Sequence, residues 1–278
     1  MGFYGMAWEN RRREPAPLRG CYGAPYIIGI NSESFMTDLN PQNSGDPFVG
    51  SFATGARAID QGLRAHMLRV YNYMAGGLAL TGMIAYLVAQ SPQILQAIYG
   101  TPLQWVVMLA PLGLALWLSF GLRSMSAGMA QVVFWIYAAA MGLSMSFIFL
   151  AYTETSIART FFVTAGTFAA MSLWGYTTKR DLTGMGHFLM MGLFGIIIAS
   201  VVNIFLHSTG LQFAISMIGV LLFTGLTAYD TQKIKFLYNQ AWSADSQQKI
   251  AIIGALNLYL DFINLFLYLL RFMGNRRS

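Results

Sequence analysis

From about residue 68 to the C-terminus, the chain alternates long apolar runs with short polar breaks. Runs of roughly 20 residues cover 68–89, 102–122, 132–151, 157–177, 187–207, 211–232 and 250–271. That is the length a tilted helix needs to cross a hydrocarbon core of about 30 Å. The pattern predicts an all-α integral membrane protein, a bundle of seven transmembrane helices. The stretch 58–70, with Asp60, Arg64, His66 and Arg69, is amphipathic at helical spacing and leads into the first run. Residues 1–57 lack any sustained period and are rich in Gly, Pro, Asn and Ser, which predicts a disordered N-terminal tail. Met36 is a second candidate start within it. The membrane domain is assigned to residues 58–275. Pro111 is expected to kink the second run. Gly192, Gly195, Ala199, Gly219 and Gly225 stand at helix-contact spacing and read as packing seams.

Polar residues inside the runs carry the chemistry. Asp230 and Asp261 are the two acids there, and a carboxylate at mid-bilayer costs roughly 2.5–3.5 kcal/mol on insertion scales. Asn257, Asp261 and Asn264 follow one another at spacings that share a helical face, and Gly254 and Tyr268 extend that stripe. The remaining faces of this last run are Leu, Ile and Phe, so its polar stripe belongs inside the protein and the helix should be central. Thr227 and Asp230 share a face of the preceding run, flanked by Thr224 and Thr231, with Lys233 about one turn on. Lys233 offers a simple neutralising partner for Asp230. The functional alternative is that the two acids meet between the sixth and seventh helices. Facing carboxylates repel and are poorly solvated, so such a pair holds a proton near neutral pH. Fully ionised, it presents hard oxygens suited to Ca²⁺. Cation permeation controlled by protonation follows. Arg123, at the end of the second run, is a possible gate partner of Asp230, or else a plain positive anchor.

Composition agrees with the hydropathy pattern. The chain of 278 residues is 56% hydrophobic and 10% charged, against about 25% charged in soluble domains. Its net charge of +6 sits in loops and tails, which points to anionic lipid headgroups as partners and away from nucleic acid. Cys21 is the single cysteine, so no intrachain disulfide forms. Lys179, Arg180, Lys233, Lys235 and Lys249 fall in the fourth and sixth loops, on the side of the N-terminus, which should therefore be cytoplasmic. Seven crossings place Arg271, Arg276 and Arg277 outside, against that rule, unless the last run is re-entrant.

Enzymatic readings find little support. An intramembrane aspartyl protease usually presents its second acid in Gly-x-Gly-Asp, but Leu258-Tyr259-Leu260 precedes Asp261. The last run has no lysine for a retinal Schiff base, and the chain has no P-loop. His66, His187 and His207 lie near run ends and read as interfacial residues. No enzyme activity and no cofactor are expected. Thr-Gly-x-x-Ala-Tyr occurs at Thr81–Tyr86 and at Thr224–Tyr229, in runs of opposite direction, and reads as chance or common packing.

Phe223-Thr224-Gly225-Leu226-Thr227-Ala228-Tyr229-Asp230-Thr231-Gln232-Lys233-Ile234 and Leu258-Tyr259-Leu260-Asp261-Phe262-Ile263-Asn264-Leu265-Phe266 closely resemble the signatures of the Bax inhibitor-1 family. Leu63–Tyr86 resembles that family's first-span entry. The resemblance covers roughly 58–275. It implies seven membrane helices with the last one central, and equates Asp230 and Asp261 with the family's paired aspartates, associated with a pH-sensitive calcium leak. It also implies, for some bacterial members, modulation of a membrane protease; the alternative function is a non-catalytic regulator that binds a membrane protease or another membrane partner, with the basic N-terminal tail, which the resemblance does not cover, as its binding element. The short C-terminal tail and compact loops fit a bacterial inner-membrane member.

Overall fold

The computed structural model describes residues 47–277 except 123 and 240, with side chains from Gln61 onward. The tail assigned to 1–57 therefore lies outside the described residues as far as 46, and so does Arg123. From Ala53 the chain forms one compact unit. Among the described residues there are nine helices: α1 (Pro47–Ala89), α2 (Pro92–Tyr99), α3 (Leu103–Gly121), α4 (Ala127–Met145), α5 (Ile148–Ala151), α6 (Glu154–Thr177), α7 (Thr183–Leu206), α8 (Thr209–Leu237) and α9 (Ala244–Met273). No strand occurs among them; Tyr152 and Arg276 form an isolated antiparallel bridge.

Six helical segments are long and apolar enough to cross a membrane: residues 61–89 of α1, α3, α4 with α5, α7, α8 and α9. Helix α6 has the length, at 24 residues, but carries Thr and Ser along one side. All seven expected runs are thus helical, while six meet the apolar criterion.

Local chemistry sets the helix starts. Ser126, Ser208 and Ser243 cap α4, α8 and α9 by accepting from the backbone N–H of Met129, Leu211 and Ser246. Ser91-Pro92 opens α2, where the missing N–H of proline costs nothing. This short helix fills most of the polar break between the first two apolar runs. His207 ends α7 in the left-handed region, at φ 47°, and lets the chain turn directly into α8. The run expected at 132–151 is broken after Met145, where the Tyr99 hydroxyl lies 3.1 Å from Ser146 Oγ and 3.2 Å from the Leu143 carbonyl. Pro111 sits buried within α3, which continues through it.

Helix α9 packs against α3, α4, α6 and α8, and 67% of its apolar window is buried, against 11–44% for the other five candidate spans. Leu256, Leu258, Tyr259 and Leu265 on it are fully buried. Helix α7 is the opposite case. Phe188, Phe194, Ile198 and Phe205 stand exposed along it, a surface suited to hydrocarbon. Of the expected seams, Gly219 meets the Tyr268 ring, Gly225 meets Leu189 and Gly192 meets Leu222, whereas Gly195 faces open space and seals nothing. Helix α6 approaches α8 so closely that a Cβ at Gly175 would collide with the Ala228 backbone.

Both ends of the bundle are tied. At one, Asp245 Oδ1 accepts from Ala127 N (3.0 Å) and Gln248 donates to Gln131 (3.1 Å), joining the starts of α4 and α9. At the other, the C-terminal tail lies on the α5–α6 junction. Arg277 N donates to Ala151 O (3.0 Å), Thr153 N to Asn275 O (3.2 Å) and Asn275 N to Ser156 Oγ (2.9 Å).

Candidate functional site

Asp230 lies on α8, eight positions short of its C-cap, and is half-buried; Asp261, in the middle of α9, is 4% exposed. The packing of α8 on α9 brings the two acids close enough to interact with one another. Asp261 Oδ2 is buried and has no donor among the described residues. Both partners are carboxylates, so neither has a hydrogen to donate unless a proton is added; an ion placed between them would serve as well. Lys233 is near enough for its charge to act on both acids. Its Nζ lies 5.9 Å from the centre of the Tyr229 ring. The described ion pairs are elsewhere, Lys249–Asp245 at 2.9 Å and Arg277–Glu154 at 3.5 Å.

The other expected groups are less directly engaged. Thr227 is fully buried one turn before Asp230, but its hydroxyl donates to Phe223 O of its own helix (2.8 Å). Asn264, half-buried, likewise spends its amide on Leu260 O (2.8 Å). Asn257 is half-buried on the same stripe of α9. Among the described residues no three His, Cys, Asp or Glu side chains gather as a metal cage. Calcium takes six to eight oxygens, of which the two carboxylates offer four at most. His66, expected at the interface, is instead 4% exposed and tilted against Tyr238 at 5.4 Å, because the amphipathic lead-in is packed over by the end of α8.

Around the acids runs a polar lattice that the sequence reading passed over. Thr231 donates to Thr227 O (2.7 Å) and meets Ser172 Oγ of α6 (2.9 Å), which meets the Tyr71 hydroxyl of α1 (2.6 Å). Gln232, two residues after Asp230, accepts from Leu182 N (2.9 Å) and donates to Arg180 O (2.7 Å). Lys235 donates to Tyr176 O (2.8 Å). Ser156, Thr160, Thr164 and Ser172 form a buried stripe on α6. Their spacing in multiples of four was the signal available in the sequence.

The family model described as "Inhibitor of apoptosis-promoting Bax1" matches residues 63–278. The chain belongs to the Bax inhibitor-1 family. It is 52% identical over 222 residues to protein RP147 of Rickettsia prowazekii, covering 80% of this chain and 94% of that one. It is 48% identical over 219 residues to the inner membrane protein YbhL of Escherichia coli K12, covering 78% and 94%. Protein YrjE of Lactococcus lactis is 39% identical over 218 residues, covering 77% and 92%. This Bax inhibitor-1 family member is an integral membrane protein. The match starts at residue 63 and leaves the preceding segment outside it.

Proposed function

We propose that the protein is a passive cation leak controlled by protons, with Ca²⁺ as the permeant ion and the Asp230–Asp261 pair as its sensor and ion site. The observation that carries this reading is the nearness of the two acids, one of them with a buried oxygen that has no donor among the described residues. With one proton between them, one acid donates to the other and α8 is held against α9. With none, the two charges repel, by about 4 kcal/mol for a separation of about 4 Å at an effective dielectric near 20, which favours separation of the pair or uptake of a cation. Asn257, Asn264 and Thr227 are supporting polar groups along the path, and Arg123 is the gate partner assigned to Asp230. No catalytic step and no cofactor is involved.

The reading places seven crossings around a central α9. The ties at the bundle ends support it: α4 and α9 start together and end together, which is what three intervening crossings by α6, α7 and α8 require. The C-terminal arginines then lie opposite the cytoplasm, and the N-terminus lies on the cytoplasmic side with Lys179, Arg180 and Lys235. YbhL's description as an inner membrane protein supports a bacterial inner-membrane location.

The test is calcium flux into proteoliposomes across pH 5–8 for wild type, Asp230→Asn and Asp261→Asn. Flux that varies with pH in wild type and loses that variation in both variants is expected. Folded protein giving no flux above empty liposomes would overturn the leak and favour a non-catalytic regulator of a membrane protease.

A further inference from the structure

Beside the bundle core, and apart from the acids, a groove of about 280 Å³ opens between α1, the α4–α5 break, α6 and α9. Of its lining side chains, only Thr81 and Glu154 carry polar atoms. The Thr81 hydroxyl is committed to Ala138 O (2.8 Å) and Tyr259 (2.7 Å), so the interior offers no free polar group. Glu154, at the first turn of α6, marks the mouth and pairs with Arg277 at 3.5 Å, both side chains about half exposed. The inner end is marked by Leu78, about 16 Å along α1 from its end at Ala89 at about 1.5 Å per residue, and by Phe262 on α9. One leaflet of hydrocarbon is about 15 Å deep. The groove thus starts at a charged interface and runs for about the depth of one leaflet between apolar walls.

We propose that this groove seats one acyl chain of a phospholipid whose headgroup carries both a phosphate and an amine. Two features select that occupant. The depth and lining match a lipid tail entering from the adjacent leaflet. The carboxylate of Glu154 and the guanidinium of Arg277 complement an ammonium and a phosphate held side by side, whereas an anionic headgroup without an amine would compete with Glu154 for Arg277 and offer Glu154 no cation in return. Gly82 keeps the groove open: a Cβ added there meets nothing within 4 Å.

The experiment uses the full chain in vesicles containing either phosphatidylethanolamine or phosphatidylglycerol with a photoactivatable group in the acyl chain, and maps the labelled peptides. Phosphatidylethanolamine should label the peptides holding Ile148 and Phe161 well above the exposed face of α7 around Phe205, which reports ordinary boundary lipid. Gly82→Phe starts from a Cβ that meets nothing within 4 Å and sends a ring into the groove; it should lower that labelling about tenfold, a change of about 1.4 kcal/mol, with α7 labelling unchanged. Glu154→Gln should reduce labelling by phosphatidylethanolamine and not by phosphatidylglycerol. Groove labelling no stronger than that of α7, or indifferent to Gly82→Phe, overturns the site. Equal labelling by both lipids, unaffected by Glu154→Gln, overturns the headgroup assignment. None of these outcomes depends on ion flux.

Discussion

Gln232 is the side chain through which the end of α8 grips the α6–α7 connection, and replacing it with leucine tests that role. The residue is 3% exposed; its amide accepts from Leu182 N at 2.9 Å and donates to Arg180 O at 2.7 Å. Leucine preserves most of the volume and removes both bonds. The consequences for the two backbone groups differ. Arg180 is exposed, so water can take over its carbonyl at little net cost. Leu182 is 5% exposed, and its N–H stays buried without a partner. An orphaned buried donor costs about 1–3 kcal/mol, so Gln232→Leu should destabilise by about 2 kcal/mol. Equilibrium unfolding in mixed micelles, followed by circular dichroism, measures it. Gln232→Glu sharpens the test. A protonated glutamic acid keeps both an acceptor and a donor in nearly the same place, whereas an ionised one loses the donor. Its deficit relative to wild type should therefore be small at acid pH and grow as pH rises. A Gln232→Leu protein within the roughly 0.5 kcal/mol typical of surface substitutions would refute the reasoning.

Three further outcomes are expected. Gly175→Ala sets a Cβ against the Ala228 backbone, which cannot rotate away, and should cost about 1–3 kcal/mol in the same unfolding assay. Thr81→Val strands the buried Tyr259 hydroxyl and should cost about 1–2 kcal/mol; in a double-mutant cycle with Tyr259→Phe, the loss should be less than additive. Asp181, in the connection before α7, accepts from the Thr183 hydroxyl (2.6 Å) and backbone N–H (2.8 Å), and these bonds hold its carboxyl below the ordinary value of 3.8. A carboxyl lowered on folding stabilises above its unfolded value and loses that contribution as pH falls through the folded one. Asp181→Asn should therefore lessen the stability lost below about pH 4, read from thermal unfolding at stepped pH.

The hydropathy pattern located every long helix because lipid-length apolar runs have few other uses. It misjudged features made by contacts between helices. The break after Met145 depends on Tyr99 reaching across from α2, and nothing within 132–151 signals it. The eight-residue α2 is too short for a periodic pattern to register. His66 near a run end suggested an interface, but the fold lays Tyr238 over it. At the site, the α9 stripe from Asn257 to Asn264 was readable at helical spacing, whereas the facing of Asp261 by Asp230 required two helices to be docked. Thr227 and Asn264 share the right faces, yet their donors turn to backbone carbonyls one turn back, the usual competition for hydroxyls and amides inside a helix.

That competition bears on why two acids sit where they do. Thr164, Thr224, Thr227, Thr231 and Asn264 each donate to a carbonyl four residues earlier, so much of the polar surface inside the bundle is already satisfied. A carboxylate has no hydrogen with which to do the same. Asp261 can be satisfied only by something brought to it, and α9 is packed on several sides and tied at both ends, which denies it a swing toward water. Helix α8 is held near its end by Gln232 and Lys235, so Asp230 is presented to Asp261 by the fold and not by its own flexibility. On the reading proposed above, two acceptors facing each other in this way would make the local contact between α8 and α9 at the acids sensitive to a proton or a cation, within a helix pair that apolar packing otherwise holds together. This sensitivity is the physical ground on which the proposed leak rests.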